Sequence, residues 1–251
     1  MTAEKECTVS DNWDFYALKV DGEPASIFLD MGIAQDPPRS IYDHMGYLRI
    51  QMIRPRADGL SSQEEFDDLV VLEDAVVADI TAGGVALYVG RNTSHGNRDL
   101  YFYTRAPATF EAAAAAAMTA FPTYSWDSGT RADLEWKSYF GFLYPSPADR
   151  QRMANRAVLR ALADQGDRSN LPREIDHLAV FAAHQAREAF AAFVSGRGFT
   201  LTDRSDDEGE FRLHFVRSER PDQIDETTVE LEAAARDRGG EYDGWGCEVE
   251  A

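Results

Sequence analysis

The chain has 251 residues, 25 basic and 44 acidic, for a formal net charge of −19, and 44% of it is hydrophobic. That length fits one large domain or two ordinary ones, and the apolar content excludes global disorder. A field of this sign, spread as −11 before Ala148 and −8 from it onward, disfavours direct contact with nucleic acid or an anionic membrane and suits a basic protein partner.

In chain order, Trp13 to Val20 reads as a strand, Asp21-Gly22 as a tight turn and Ala25 to Met31 as a second strand, so a hairpin comes first. Asp36-Pro37-Pro38 breaks the pattern, and Tyr47 to Arg54 alternates like a strand. Ser61 and Ser62 each precede a glutamate by three (Glu64, Glu65), the spacing of a capping box. The helix that follows carries Phe66, Leu69, Val70, Leu72, Val76, Val77 and Ile80 as an apolar stripe and ends at Gly83-Gly84. Val85 to Val89 and Leu100 to Tyr103 read as strands joined by a polar loop, Asn92 to Arg98. Phe110 to Phe121, with its alanine run, is a second helix that Pro122 stops. Leu134 to Tyr144 reads as a last extended segment, and Pro145-Ser146-Pro147 as a linker.

Beyond the linker, Asp149 to Gln165 reads as a helix with Met153, Ala157, Leu159 and Leu162 inward. Glu174 to Ala182 is a strand, Glu188 to Ser195 helical, Phe199 to Thr202 a strand and Asp203 to Gly209 an acidic turn. Phe211 to Arg217 alternates, Asp222 to Arg238 is a helix with Ile224, Val229, Leu231 and Ala235 inward, and Glu241 to Glu250 is the closing strand. The order strand, helix, hairpin, helix, strand thus occurs twice. The predicted fold class is α+β: two ferredoxin-like (βαββαβ) antiparallel sandwich domains in tandem, 12–144 and 148–251, the first with an extra N-terminal hairpin. The runs Tyr124 to Gly129 and Tyr242 to Gly246 rhyme, as a duplication would leave them.

No catalytic signature stands out. The two cysteines, Cys7 and Cys247, make neither a disulfide framework nor a metal quartet, and a reducing cytoplasm is the expectation. The first ten residues lack a signal-peptide pattern, and no apolar run approaches the ~18 residues of a membrane helix. His44, His95, His177, His184 and His214 have no metal-ligand spacing. No phosphate-binding glycine motif or nucleophile elbow occurs, and Cys247, with no cation near it in sequence, reads as a packed thiol. No cofactor is expected. The acidic runs Asp67-Asp68, Glu73-Asp74 and Asp206-Asp207-Glu208 read as solvated faces and turns.

The run Glu241-Tyr242-Asp243-Gly244-Trp245-Gly246 is the most distinctive feature. Its glycines permit a bulge that packs Tyr242 and Trp245 against a helix. Alternatively its aromatics and acid form an exposed protein-binding patch, with Asp176 and His177 on a neighbouring strand beside it. The partner-binding candidates are therefore Asp176, His177, Tyr242, Asp243 and Trp245.

This run, the opening helix Ala157 to Gly166, the strand Arg173-Glu174-Ile175-Asp176-His177 and the Gly198-Phe199 strand entry make about Met153 to Glu250 resemble the regulator of ribonuclease activity B family. The resemblance implies an acidic, ferredoxin-like, cytoplasmic protein that binds the arginine-rich arm of ribonuclease E outside the catalytic core and restrains RNA decay. The family's long acidic tail has no counterpart before Ala251, and an extra domain is present, so retained inhibition does not follow from it. The first half, about Asn12 to Tyr144, looks like a bacterial domain family of unknown function, through Trp13-Asp14-Phe15-Tyr16 and Asp58-Gly59-Leu60-Ser61-Ser62.

The expectation is a non-enzymatic regulator binding a basic partner, with the non-catalytic arm of ribonuclease E as candidate. It touches neither nucleic acid nor membrane directly, and homodimerisation through the second half is a further option. The alternative is an enzyme or small-ligand sensor with a pocket in the first domain or at the domain interface, motivated by Trp13, Phe15, Tyr16 and the segment Asn92 to Arg98.

Overall fold

The computed structural model describes residues 10, 12–207 and 209–250. Cys7 and Glu208 lie outside them. The chain divides into two compact units, Met1–Tyr144 and Pro145–Ala251.

In the first unit β1 (Trp13–Val20) and β2 (Glu23–Asp30) form the hairpin, followed by β3 (His44–Gln51), α1 (Phe66–Thr81), β4 (Ala86–Ser94), β5 (Asn97–Thr104), α2 (Pro107–Met118) and β6 (Trp126–Ala132). The sheet order is β1-β2-β4-β5-β3-β6, antiparallel throughout. Removing the hairpin leaves the ferredoxin-like order, so the hairpin widens the sheet at the β4 edge. Leu48 and Ile50, Leu100 and Phe102, and Tyr88 meet Leu72, Val76 and Ile80 of α1 and Phe110, Ala114 and Ala117 of α2.

Three expectations fail here for local reasons. The capping box does not form: Glu65 is buried and turns away, its carboxylate accepting the Ile53 and Arg54 amides at 2.8 and 2.6 Å. Phe66 is consequently exposed rather than part of the stripe. The polar loop from Asn92 to Arg98 is mostly strand, because His95 (φ 51°) and Gly96 (φ 74°) close a two-residue hairpin turn of the twist that neighbouring strands favour.

The third is Leu134 to Tyr144, which is not extended. The last strand of the unit is β6, and the chain then turns into a helical segment closed by a π-turn, Tyr139–Leu143. Asp133 starts the turn by accepting the Lys137 and Ser138 amides at 2.8 and 2.9 Å, with the Tyr103 hydroxyl at 2.7 Å. Burial alone would raise this carboxyl; the Ser138 hydroxyl and amide and the other donors outweigh it and hold it below the ordinary value. The segment lies against the sheet face away from α1 and α2, where Trp136 stacks on Tyr103 at 3.8 Å and Phe142 packs on Tyr101.

The second unit runs α3 (Pro147–Asp164), β7 (Arg173–Phe181), α4 (His184–Ser195), β8 (Thr200–Asp207), β9 (Glu210–Glu219), α5 (Asp225–Arg236) and β10 (Gly240–Gly246). Its sheet order, β10-β7-β9-β8, is again ferredoxin-like. Ala179, Phe181, Leu213, Phe215 and Tyr242 face Phe190 and Val194 of α4 and Leu231 and Ala235 of α5. The run Tyr242 to Gly246 lies within β10, and the run Tyr124 to Gly129 leads into β6, so both fall at the last strand of their unit.

The segment read as a linker is partly helix. Ser146 caps α3 in a capping box with Asp149, and Pro147 takes the first helical position, where its missing N–H costs nothing. On α3, Met153 and Leu162 are buried, but Ala157 is exposed and Leu159 half-buried. The inward positions between are polar, Gln151 and Asn155. The acidic turn expected from Asp203 onward is strand, since β8 continues to Asp207.

Candidate functional site

The site expected around the closing run lies where β10 pairs with β7. In a regular strand, residues three apart point to opposite faces. Here Tyr242 pairs with Ala179, Gly244 with Leu178 and Trp245 with His177, so Asp243 is an extra residue bulged out of the ladder. Gly244 accommodates the bulge at φ 114°, a conformation that side chains resist. The bulge puts both Tyr242 and Trp245 on the helix-facing side.

There they do different things. Tyr242 is in the core, and its hydroxyl shares a 2.7 Å hydrogen bond with Nδ1 of His177. His177 is 1% exposed, stacked on Phe215 at 5.3 Å and edge-on to Phe199. Burial first, and the Arg217 charge second, lower its pKa to about 3, so the ring is neutral at physiological pH. Its Nε2 has no hydrogen-bond partner. Burial raises the Tyr242 hydroxyl in the same way.

Trp245 is half-buried, and its indole N–H donates to Oδ1 of Asn155 at 2.9 Å. Gln151 donates to the same oxygen at 3.0 Å, while the Asn155 amide donates to Asp225 and Thr228 at 2.7 Å each. All four hydrogen-bonding positions of this fully buried asparagine are used, which ties α3 to α5 and β10. Trp245→Phe keeps the ring but leaves Asn155 one donor short, with an expected loss of about 1–2 kcal/mol in urea unfolding. A loss near zero would mean the network does not hold.

Asp176 and Asp243 are exposed. Asp176 pairs with Val216 and so points away from the helices. The closing run therefore separates into an interior pair, His177 and Tyr242, and outward acids, with Trp245 between. His177 is enclosed, and Tyr242 is buried except where it borders a cleft. A cleft of about 390 Å³ opens alongside, lined by Arg150 and Gln151 of α3, Glu232 and Arg236 of α5, and Glu241 and Tyr242 of β10.

By register, the face of the β10-β7-β9-β8 sheet opposite α4 and α5 carries Glu174 and Asp176 of β7, Asp203 of β8 and Glu241 of β10, all exposed. The closing run, which contains Glu241, pointed to this face in the sequence, and Glu174 was recoverable by alternation from Asp176; Asp203 was not, because a bulge after Leu201 breaks the alternation and turns it to this face.

Cys247 is half-exposed and does have a cationic neighbour: Nε of Arg173 lies 3.3 Å from its sulfur. The same guanidinium donates to Asp167 at 2.7 Å, and Asp167 accepts the Glu250 amide at 2.8 Å, strapping the residues after β10 to the start of β7. Burial opposes ionisation of Asp167, but the Glu250 amide, the Ser169 hydroxyl and Arg173 together hold its pKa at about 2. Among the described residues, no group of three or more His, Cys, Asp or Glu side chains could hold a metal, and no helix is long and apolar enough to cross a membrane.

The family model described as a family of unknown function, DUF695, matches residues 11–144, and the model of regulator of ribonuclease activity B matches residues 152–247. No curated protein matches the chain. Two solved structures align over 83% of it. One, a candidate glycine cleavage system transcriptional repressor, is 8% identical over 98% of its own length with a TM-score of 0.27. The other, an unknown protein from Galdieria sulphuraria, is 10% identical over 99% of its length with a TM-score of 0.21. Likenesses this low carry no argument.

Proposed function

Because the chain belongs to the family of unknown function DUF695 and carries a regulator of ribonuclease activity B domain behind that part, we propose that it is a non-enzymatic regulator. Its second unit binds the basic, non-catalytic arm of ribonuclease E and thereby modulates RNA decay. The match over residues 152–247 carries this reading.

The chemistry of the exposed acids supports it. Glu174, Asp176, Asp203 and Glu241 share one sheet face, and Asp243 protrudes from the bulge at its edge. Such a rim attracts an arginine-rich segment over a distance and sets its orientation, contributing mainly to the rate of association and to selectivity. Trp245, pinned by Asn155, holds β10 and therefore Asp243 in place without itself being the main contact.

Reversing two exposed charges, Asp176→Lys with Asp243→Lys, should weaken binding of the full chain to the arm at least tenfold in a calorimetric titration at low salt, with thermal unfolding unchanged. Unaltered affinity would exclude this face as the contact.

A further inference from the structure

We propose that the first unit carries a small-molecule site on the flank of α1 that takes a carboxylate borne on a flat apolar ring. The site lies wholly within the first unit and does not depend on the ribonuclease reading.

Its origin is the extra hairpin. Helix α1 packs over β4, and β1 and β2 continue the sheet beyond it. Phe15 pairs with Phe28, and Phe28 with Arg91, so these side chains share the face that α1 flanks. Phe15 is 43% exposed there. The step between helix and hairpin leaves a cleft of about 500 Å³, within the usual range for small ligands. Trp13, Phe28 and Tyr88 form its floor, with Trp13 stacked against each of the other two at 5.0 and 5.4 Å. Val70, Val77 and Ala78 of α1 form an apolar wall. Such an aromatic and apolar lining suits a flat apolar ring slotted between floor and helix.

The polar end of the cleft is cationic. Glu73, read from the sequence as solvated, is buried. Its Oε1 accepts from the Tyr88 hydroxyl at 2.8 Å and from Arg91 at 2.7 Å, and its Oε2 from Arg98 at 3.0 Å. One carboxylate thus faces two guanidinium groups, an excess of one positive charge inside a chain of net charge −19. Arg98 is fully enclosed, whereas Arg91 lines the cleft with its guanidinium 4.7 Å over the Phe28 ring. Among the described residues Glu73 is the one hydrogen-bond partner of the Arg91 side chain, through a single nitrogen. The rest of its fork remains for a planar oxyanion, the geometry in which arginine binds carboxylates. Asp74 stands exposed at the rim and opposes an anion there.

The test is calorimetric titration of the full chain with phenylacetate and indole-3-acetate, each beside its uncharged amide. The acids should bind saturably with Kd about 1 mM or tighter, and the amides at least tenfold more weakly. Asp74→Asn, at an exposed position, should tighten acid binding several-fold without affecting the fold. Arg91→Gln should weaken it at least tenfold. The site is overturned if neither acid saturates in wild type or Asp74→Asn, or if acids and amides bind alike. Retained acid affinity in folded Arg91→Gln would also overturn it.

Discussion

Replacing Trp136 with alanine is expected to destabilise the first unit by about 3–5 kcal/mol, a large share of the stability of an ordinary domain. Trp136 has no solvent exposure, stacks on Tyr103 within 9° of parallel, meets Tyr139 edge-on and donates its indole N–H to the Tyr42 carbonyl at 2.8 Å. It does so from a left-handed backbone conformation, φ 56°, which is unfavourable for any residue but glycine. Alanine keeps that strain, loses the ring and leaves a carbonyl without its donor. Trp136→Phe retains most of the ring and should cost less, about 1–3 kcal/mol. Urea unfolding followed by circular dichroism separates the cases. A loss under about 1 kcal/mol for the alanine variant would mean that the segment from Asp133 to Tyr144 does not form a layer of the core.

The second unit should lose stability in mild acid through His177. The folded pKa is about 3, below the unfolded value near 6.5. The unfolded chain therefore binds the proton first, so the contribution of neutral His177 is fully present above pH ~6.5 and declines as pH falls toward ~3. Between about pH 7.5 and about pH 4.5 this amounts to roughly 2–3 kcal/mol. The variant that isolates it is His177→Phe with Tyr242→Phe, which removes both hydrogen-bonding partners while preserving ring packing. Hydrogen exchange of the β7 and β9 amides should show the wild type weakening more than the double variant by that amount. Parallel decline in the two proteins would place a charged or solvated histidine at this position. Asp167 acts at lower pH: its stabilisation is present above the unfolded value near 3.8 and is lost as pH falls through about 2, below most of the His177 window.

The sequence made some of this architecture readable and hid the rest for identifiable reasons. The opening hairpin is marked by Asp21-Gly22, both at positive φ, between two apolar-rich runs. The bulge in β10 is announced by Gly244 beside two aromatics that had to share a face. In contrast, β6 reads Trp-Asp-Ser-Gly-Thr-Arg-Ala, an edge strand with little buried surface and therefore little hydrophobic signal. The next aromatic-rich stretch drew the strand assignment instead. Its real cue was Asp133 four and five residues before the amides that it caps.

Polar residues in apolar positions account for the missed interactions. Asn155 and Gln151 look like surface residues of α3, and only their helical spacing relative to each other and to Leu162 hints at the Trp245 network. Glu73 falls four residues after Leu69 and seven before Ile80, inside the buried stripe of α1. Its partners Arg91 and Arg98 come from different strands, so the cluster depends on the tertiary fold. Helical spacing marks these positions as inward, but their polarity led Glu73 to be read as solvated and left Gln151 and Asn155 unnoticed.

The acidic second unit is proposed to engage the basic arm of ribonuclease E. The most direct test of that contact is calorimetric titration of the full chain with that arm at low and moderate salt. Micromolar or tighter binding that weakens as salt rises is expected, because the contact is between opposite charges that ions screen. A folded chain that gives no binding at either salt, or binding insensitive to salt, would contradict it.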